Sequence, residues 1–296
     1  MLVLEVGRKE LLRQIAFSPD GRLVVAGGYT GLVRWEELAS GARARWVPDT
    51  RASGSLAFTP DGRWLFAAPF VHRIDTRTWA AERIRLWTEN YSTHFTVSPT
   101  EPVVLVTQFG ALLQGGTRLA LWRADEPFET GKVWERAFDD GPFWIYSYFL
   151  PGGDRFARIG NLFGFAAYAT ATGEPIGDPV SVPRVGAVPP DGRWLVNHES
   201  TTIHFYPLTP DAGEPAQIKN DGRRHFTAYA FHPSGRFLAT TSNDATVKLY
   251  DTSTWELART FTWDIGRMRC IAFSADGTLA AAGSDTGKVV VWDVNL

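Results

Sequence analysis

The stretch Phe17-Ser18-Pro19-Asp20-Gly21-Arg22-Leu23 returns as Phe58-Thr59-Pro60-Asp61-Gly62-Arg63-Trp64, as Val188-Pro189-Pro190-Asp191-Gly192-Arg193-Trp194, as Phe231-His232-Pro233-Ser234-Gly235-Arg236-Phe237 and as Phe273-Ser274-Ala275-Asp276-Gly277-Thr278-Leu279. Two looser copies, Val97-Ser98-Pro99-Thr100-Glu101-Pro102-Val103 and Phe149-Leu150-Pro151-Gly152-Gly153-Asp154-Arg155-Phe156, bring the count to seven. Their first residues stand 41, 39, 52, 39, 43 and 42 apart, the period of four-stranded propeller blades. Turn chemistry excludes a helical solenoid of similar period. Pro followed by Asp-Gly or Ser-Gly presets a tight turn with a left-handed residue, and such a turn joins strands. The flanking segments Arg22-Leu23-Val24-Val25-Ala26, Thr246-Val247-Lys248-Leu249-Tyr250 and Lys288-Val289-Val290-Val291-Trp292 are short and rich in β-branched and aromatic residues. Several are apolar on both faces, as sheets packed between sheets require.

Read as strands a to d, the sixth unit spans residues 229–231, 237–241, 247–250 and 257–261, and the other units follow that template. The last unit runs out of chain after three strands. Leu2-Val3-Leu4-Glu5-Val6 precedes the first turn and has no place in the first unit, so it is expected to supply the missing outer strand. That pairing closes the ring and hides a sheet edge that would otherwise invite aggregation. The expected architecture is therefore all-β: a seven-bladed β-propeller of four-stranded antiparallel blades, one domain over residues 1–296, with residues 2–6 completing the last blade.

Composition agrees with a sizeable core: of 296 residues 44% are hydrophobic and 21% charged. The formal net charge of −2 gives no global pull toward nucleic acid or an anionic membrane, so neither is the expected partner. The single cysteine, Cys270, has no internal disulfide partner and cannot build a thiolate metal cluster. No apolar run approaches the roughly 18 residues of a membrane helix. The N-terminal residues lack the pattern of a secretion signal, and a cytoplasmic location is expected.

With its Ser-Pro-Asp-Gly turns, Ser242-Asn243-Asp244 followed by Thr246-Val247-Lys248-Leu249-Tyr250-Asp251, and the terminal Trp292-Asp293, the chain resembles the WD-repeat β-propeller family over essentially its whole length. The likeness is strong in units one, two, six and seven and degenerate in three and four. In that family a Gly-His pair before strand a, a strand-b hydroxyl, an Asp in the b–c turn and a strand-c Trp form a hydrogen-bonded set. Asp244 and Asp285 match the turn Asp, and Trp35, Trp122 and Trp292 match the Trp, whereas no Gly-His pair exists. Stability is then expected to rest on apolar packing between blades, at roughly 25 cal/mol per Å² buried.

No catalytic constellation converges. The six histidines, His72, His94, His198, His204, His225 and His232, are scattered, and no His-Glu-x-x-His, Gly-x-Ser-x-Gly or Walker loop occurs. His198 and His204 could face each other across a hairpin without a third ligand, and Asp139-Asp140 reads as a solvated loop before Gly141-Pro142. The expectation is no enzyme, no metal and no cofactor. The alternative is a lactonase-like propeller hydrolase with a metal at the central channel.

With strand a innermost, the d–a connections and b–c turns share one face. Its d–a residues include Arg8, Arg51, Trp87, Tyr91, Phe143, Trp144, Arg184, Arg223, Arg224, Arg267 and Arg269, and the b–c turns add Tyr29 and Phe70. Converging arginines favour a carboxylate or phosphate, and neighbouring aromatics anchor an apolar side chain. Charged loops are ordinarily just solvated, and edge aromatics pack inward. The resulting expectation is a protein-binding scaffold or regulatory subunit of a larger complex, whose protein or peptide partner carries acidic and hydrophobic residues. Insertions at residues 108–117 and 125–131 break the third unit and are further contact candidates.

Overall fold

A computed structural model describes the chain apart from residues 37, 39–41, 49, 51–53, 85–91, 110–115, 140–144, 161–163, 182–185, 190, 223 and 295–296, and the side chains of 92, 109 and 210. The repeated turns fold as their chemistry dictates. Gly21 N–H donates to the Ser18 carbonyl at 2.9 Å and Gly277 N–H to the Ser274 carbonyl at 2.9 Å, closing one tight turn each. Both glycines sit at positive φ, +71° and +75°, where a Cβ would be strained. Within the turn, Ser274 Oγ donates to Asp276 Oδ1 at 2.6 Å, and the same contact joins Ser18 to Asp20. These hydrogen bonds hold both carboxyls below the usual aspartate range. In the sixth turn His232 takes the serine's place, its Nδ1 lying 2.7 Å from Ser234 Oγ.

Between these turns run antiparallel sheets in chain order, and the protein is a seven-bladed β-propeller. Blade one is Leu12–Phe17, Val24–Gly28, Leu32–Trp35 and Arg45–Val47. Blade two is Leu56–Phe58, Trp64–Ala67, His72–Asp75 and Ala81–Arg83. Ser92–Val97, Val103–Phe109, Thr117–Arg123 and Lys132–Phe138 form blade three. Ile145–Phe149, Arg155–Gly160, Gly164–Ala169 and Pro175–Val180 form blade four. Blade five has Trp194–Glu199, Thr202–Pro207 and Ala216–Lys219, with its inner strand reduced to a bridge between Ala187 and Val196 among the described residues. Blade six is Phe226–Phe231, Phe237–Ser242, Thr246–Asp251 and Leu257–Thr262, its inner strand starting three residues before the expected Tyr229. Blade seven holds Met268–Phe273, Leu279–Ser284 and Lys288–Asp293.

The fourth strand of blade seven is Leu2–Glu5, as the sequence anticipates. It pairs antiparallel with Leu2 opposite Val291 and Glu5 opposite Lys288, and Val6 N–H donates to the Gly287 carbonyl at 2.9 Å. Leu4 and Val6 are buried in a cluster with Leu12, Ile15, Trp35, Cys270, Ala281, Val289 and Val291, so blades seven and one share one apolar layer. Another layer joins blades six and seven through Val247, Leu249, Met268, Ala280 and Trp292.

Contacts group the residues into two compact units, Met1–Leu56 with His198–Pro207 and Gly213–Leu296, and Ala57–Asn197 with Leu208–Ala212. The first holds blades one, six and seven, and the second holds blades three and four. In the second unit, Phe66 and Phe95 belong to one apolar layer and Leu105 and Phe156 to another. The insertion at 125–131 is tied into this unit. Phe128 stacks on Trp122 at 4.8 Å, and Arg73 donates to the Ala124 carbonyl at 3.0 Å and to that of Glu126 while pairing with Glu82 at 2.7 Å. Those contacts make it part of the packing. The other insertion lies largely outside the described residues, at 110–115.

Two c–d turns share an unusual device. Asp75-Thr76-Arg77-Thr78-Trp79 and Asp251-Thr252-Ser253-Thr254-Trp255 both end on a tryptophan at positive φ, +60° and +59°. In each, the Trp N–H donates to the Asp carbonyl at 2.7 Å. The adjoining Thr76 and Thr252 hydroxyls donate to the Gly62 and Gly235 carbonyls at 2.7 Å, stitching the c–d turn to the a–b turn. Blade four meets the same backbone demand with Gly173 at φ +67°. A bulky residue in this region is strained, so the ring must contribute elsewhere. Trp255 stacks on the buried Phe205 at 3.8 Å. Trp255→Ala, which keeps the strain and loses the stack, should cost about 2 kcal/mol, and Trp255→Gly about 1 kcal/mol less than that. Chemical denaturation of the two variants checks the order; equal losses would show that φ is not the source of the difference.

Candidate functional site

In the first unit the d–a connections and b–c turns do come together, through a recurring hydrogen bond. Asn243 Oδ1 in the blade-six b–c turn accepts from His225 N–H at 3.1 Å, and Asp285 Oδ1 in blade seven accepts from Arg267 N–H at 3.1 Å. Asn243 and Asp285 each directly follow a serine, Ser242 and Ser284, that faces the first residue of strand a. The equivalent of Asp285 is therefore Asn243, and Asp244 stands one place later. Asp244 turns inward on its own loop, accepting from Thr246 Oγ1 at 2.6 Å, which together with the Thr246 N–H keeps its carboxyl below the usual range against the opposing effect of burial. The family's shared network is also open at the tryptophans: the indole N–H groups of Trp35 and Trp292 are buried without an acceptor.

Strand a of blades one, six and seven starts with the same irregularity. Leu12 faces Gly28 and Gln14 faces Gly27, so Arg13 is an extra residue in the ladder. Thr227 and Arg269 are the extra residues in blades six and seven. Such bulges bend a strand and re-aim a side chain. All three bulge residues line one cleft of about 410 Å³, together with Leu11, Gln14, His225, Phe226 and Asn243. The bulges thus gather residues from three blades at one mouth.

Arg13 lies 4.6 Å from the Tyr29 ring centroid, and Tyr29 is 53% exposed. Arg269 has Asp285 at 3.5 Å, a loose pairing, and its Nε lacks an acceptor. Lys9, Arg13, Arg224 and Arg267 have no carboxylate partner among the described residues. Arg8 is committed to the fold: its guanidinium is 4.0 Å over Trp46, Nη2 donates to Thr30 Oγ1 at 2.7 Å, and the buried Glu10 is 4.0 Å away.

Of the anticipated face residues, Arg269 lines the cleft, Arg224 and Arg267 are exposed beside it, and Arg8, also exposed, is engaged by Trp46 and Thr30. Arg51, Trp87, Tyr91, Phe143, Trp144, Arg184 and Arg223 lie outside the described residues, as does Asp140. In blade two Phe70 is exposed with Arg83 at 4.3 Å. Arg13 was not anticipated, although aligning the repeats reveals it. Arg13, Arg184, Thr227 and Arg269 each stand four residues before the first residue of their repeat turn.

Among the described residues no group of three His, Cys, Asp or Glu side chains could hold a metal ion. His198 and His204 do not form a pair. His198 Nε2 lies 3.2 Å from the Phe226 carbonyl oxygen, whereas His204 stacks on Tyr206 at 6.2 Å and has Glu199 at 3.6 Å. Burial pushes the free Cys270 thiol up to about 12, which makes it an inert core residue.

Buried imidazoles give the fold an acid sensitivity. His94 is packed between Tyr146 and Tyr148, each ring at 5.3 Å, and burial lowers its pKa from 6.5 to about 4. His72, 5% exposed, is lowered by burial as well. A lowered histidine pKa favours the neutral ring in the fold, so its contribution is fully present above pH 6.5 and is lost as pH falls from 6.5 through about 4. Unfolding should take up protons across that window, and His94→Phe should reduce the uptake by about one proton. Urea titrations at several pH values measure it; an unchanged slope in the variant would exclude His94 as a source.

The model of the WD domain, G-beta repeat, matches residues 6–35, 221–251 and 255–293, covering much of blades one, six and seven. The chain is 29% identical over 143 residues to pre-mRNA-processing factor 19 homolog 2 of Arabidopsis thaliana, covering 48% of this chain and 26% of that protein. It is 22% identical over 147 residues to target of rapamycin complex subunit wat1 of Schizosaccharomyces pombe, covering 36% and 47%. Similarity to the serine-threonine kinase receptor-associated protein of Gallus gallus is 29% over 108 residues, covering 36% and 30%. The matched region thus spans less than half the length of each of these relatives. With repeat matches in three blades of a seven-bladed propeller, the chain is similar to the WD-repeat family over those blades.

Proposed function

We propose that the protein is a non-catalytic interaction platform, a scaffold or regulatory subunit of a larger complex, acting as a single domain. It takes a protein or peptide partner with acidic and hydrophobic residues on the face of the d–a and b–c connections. The cleft carries this reading: Arg13 and Arg269 are aimed into one concavity by strand bulges, beside the exposed ring of Tyr29. An arginine next to an exposed aromatic is the composition of an interface anchor. Relatives described as a complex subunit and as a receptor-associated protein support the same role. A cytoplasmic location belongs to this proposal, and cell fractionation tests it.

Affinity capture from native lysate with the intact protein and with Arg13→Gln/Arg269→Gln tests the face. Partners should be lost from the double variant and kept by Arg22→Gln, which alters the opposite turn. Equal recovery by the double variant would place the interface elsewhere, and loss with Arg22→Gln alone would move it to the other face.

A further inference from the structure

We infer that the cleft recognises a single polypeptide carboxylate, seated between Arg13 and Arg269, in preference to a phosphate. This rests on the platform reading and adds the chemistry of the recognised group. The lining is rich in donors. Asn243 spends its acceptor oxygen on His225 N–H, which leaves its amide NH₂ as the free end. Thr227 is the exception: its hydroxyl donates to the Met268 carbonyl at 2.9 Å and so has no hydrogen left for a ligand. Gln14 and the two guanidiniums add further donors, and among the described residues no carboxylate lines the cleft. A group that only accepts hydrogen bonds complements such a lining, and an ionised carboxylate is acceptor-only.

Charge then separates carboxylate from phosphate. Arg13 and Arg269 bring two positive charges, and Asp285, 3.5 Å from Arg269, cancels one of them. Among the lining residues the remaining charge of about one is neutralised by a monoanion, whereas a phosphoryl group of nearly two negative charges would also need Arg224 or Arg267 from beside the cleft. Tyr29 lies at the Arg13 side, with one ring face covered by that guanidinium, so an apolar residue flanking the carboxylate has an exposed aromatic to pack on.

Random dodecapeptides displayed on phage, in one library with the peptide C-terminus fused and in another with it free, are selected on the intact protein. Selected peptides should share an Asp or Glu next to an apolar residue. Enrichment only in the free-end library would assign the carboxylate to a chain terminus, and both results support the inference. The selected peptide should lose affinity at least tenfold on Arg13→Gln and on Arg269→Gln, and should be unaffected by Arg22→Gln. Because Arg269→Gln also releases Asp285, its thermal midpoint is measured alongside, and the exposed Arg13→Gln alone suffices for the decision. Selected peptides that bind independently of Arg13, or a phosphoserine substitution that binds more tightly than Asp or Glu, would overturn the carboxylate and leave the platform standing. Failure of both libraries to yield any peptide would overturn the platform as well.

Discussion

Removing residues 1–6 should leave a protein that unfolds about 10 °C lower and aggregates as its concentration rises. Leu4 is 1% exposed and Val6 is buried, both within the apolar layer shared by blades seven and one. Burying a side chain of that size fully contributes about 1.5–3 kcal/mol, so the two together supply roughly 4 kcal/mol. A domain of ordinary stability has only about 5–15 kcal/mol in total. The truncation also strips the hydrogen-bonding partner from Lys288–Asp293, whose Val289, Val290 and Val291 would then stand in an open β-branched edge. Leu4→Asp separates the two effects, because it keeps the backbone but places an unpaired carboxylate in the layer, at a cost of about 3 kcal/mol or more. Thermal denaturation with light scattering measures both. A truncated protein that stays monodisperse with an unchanged midpoint would show that the segment does not complete the blade.

Asn220→Leu should destabilise the protein by about 3 kcal/mol although it replaces a polar side chain with an apolar one in a buried position. Lys248, on the third strand of blade six, is only 5% exposed. Its ammonium donates to Asn220 Oδ1 at 3.0 Å and to the Asp221 carboxylate, whose own side chain is 85% exposed. Asn220 in turn donates through Nδ2 to Ser242 Oγ at 2.9 Å. Removing Asn220 therefore leaves a buried ammonium with one partner at its solvent side, and desolvation of that charge is no longer offset. Lys248→Met removes the charge itself and should cost about 1 kcal/mol, since methionine fills similar space. The double variant should be less destabilised than the sum of the single changes by roughly 2 kcal/mol. Additive losses in a double-mutant cycle would mean that Lys248 and Asn220 act independently.

Much of the architecture was legible because it is written in local chemistry. Pro-Asp-Gly at a fixed offset specifies a turn whatever surrounds it, and Gly21 and Gly277 adopt the positive φ that this turn demands. The closing strand was legible for a different reason: the last repeat lacks a strand and residues 2–6 have no repeat of their own. Strand starts were less visible. Phe226-Thr227-Ala228 reads as the end of a charged connection, yet it pairs with strand b around a bulge, and no turn residue announces that pairing. The insertion at 125–131 looked free in sequence because its anchors, Arg73 and Trp122, are separated from Phe128 by 55 and 6 residues.

The candidate face divides in the same way. Sequence marked arginines by their place in d–a connections, and that rule brought Arg8 and Arg269 forward equally. Contacts separate them, because Trp46, Thr30 and Glu10 close on Arg8, whereas a bulge turns Arg269 into the cleft. By itself, then, the sequence determined the number of blades, their turns and the strand that completes the last one, since each depends on residues adjacent in the chain or on counting repeats. Only the tertiary structure decided which cations are available to a partner, since availability depends on side chains brought alongside from other strands and on an extra residue in a ladder that exists only once the strands have paired.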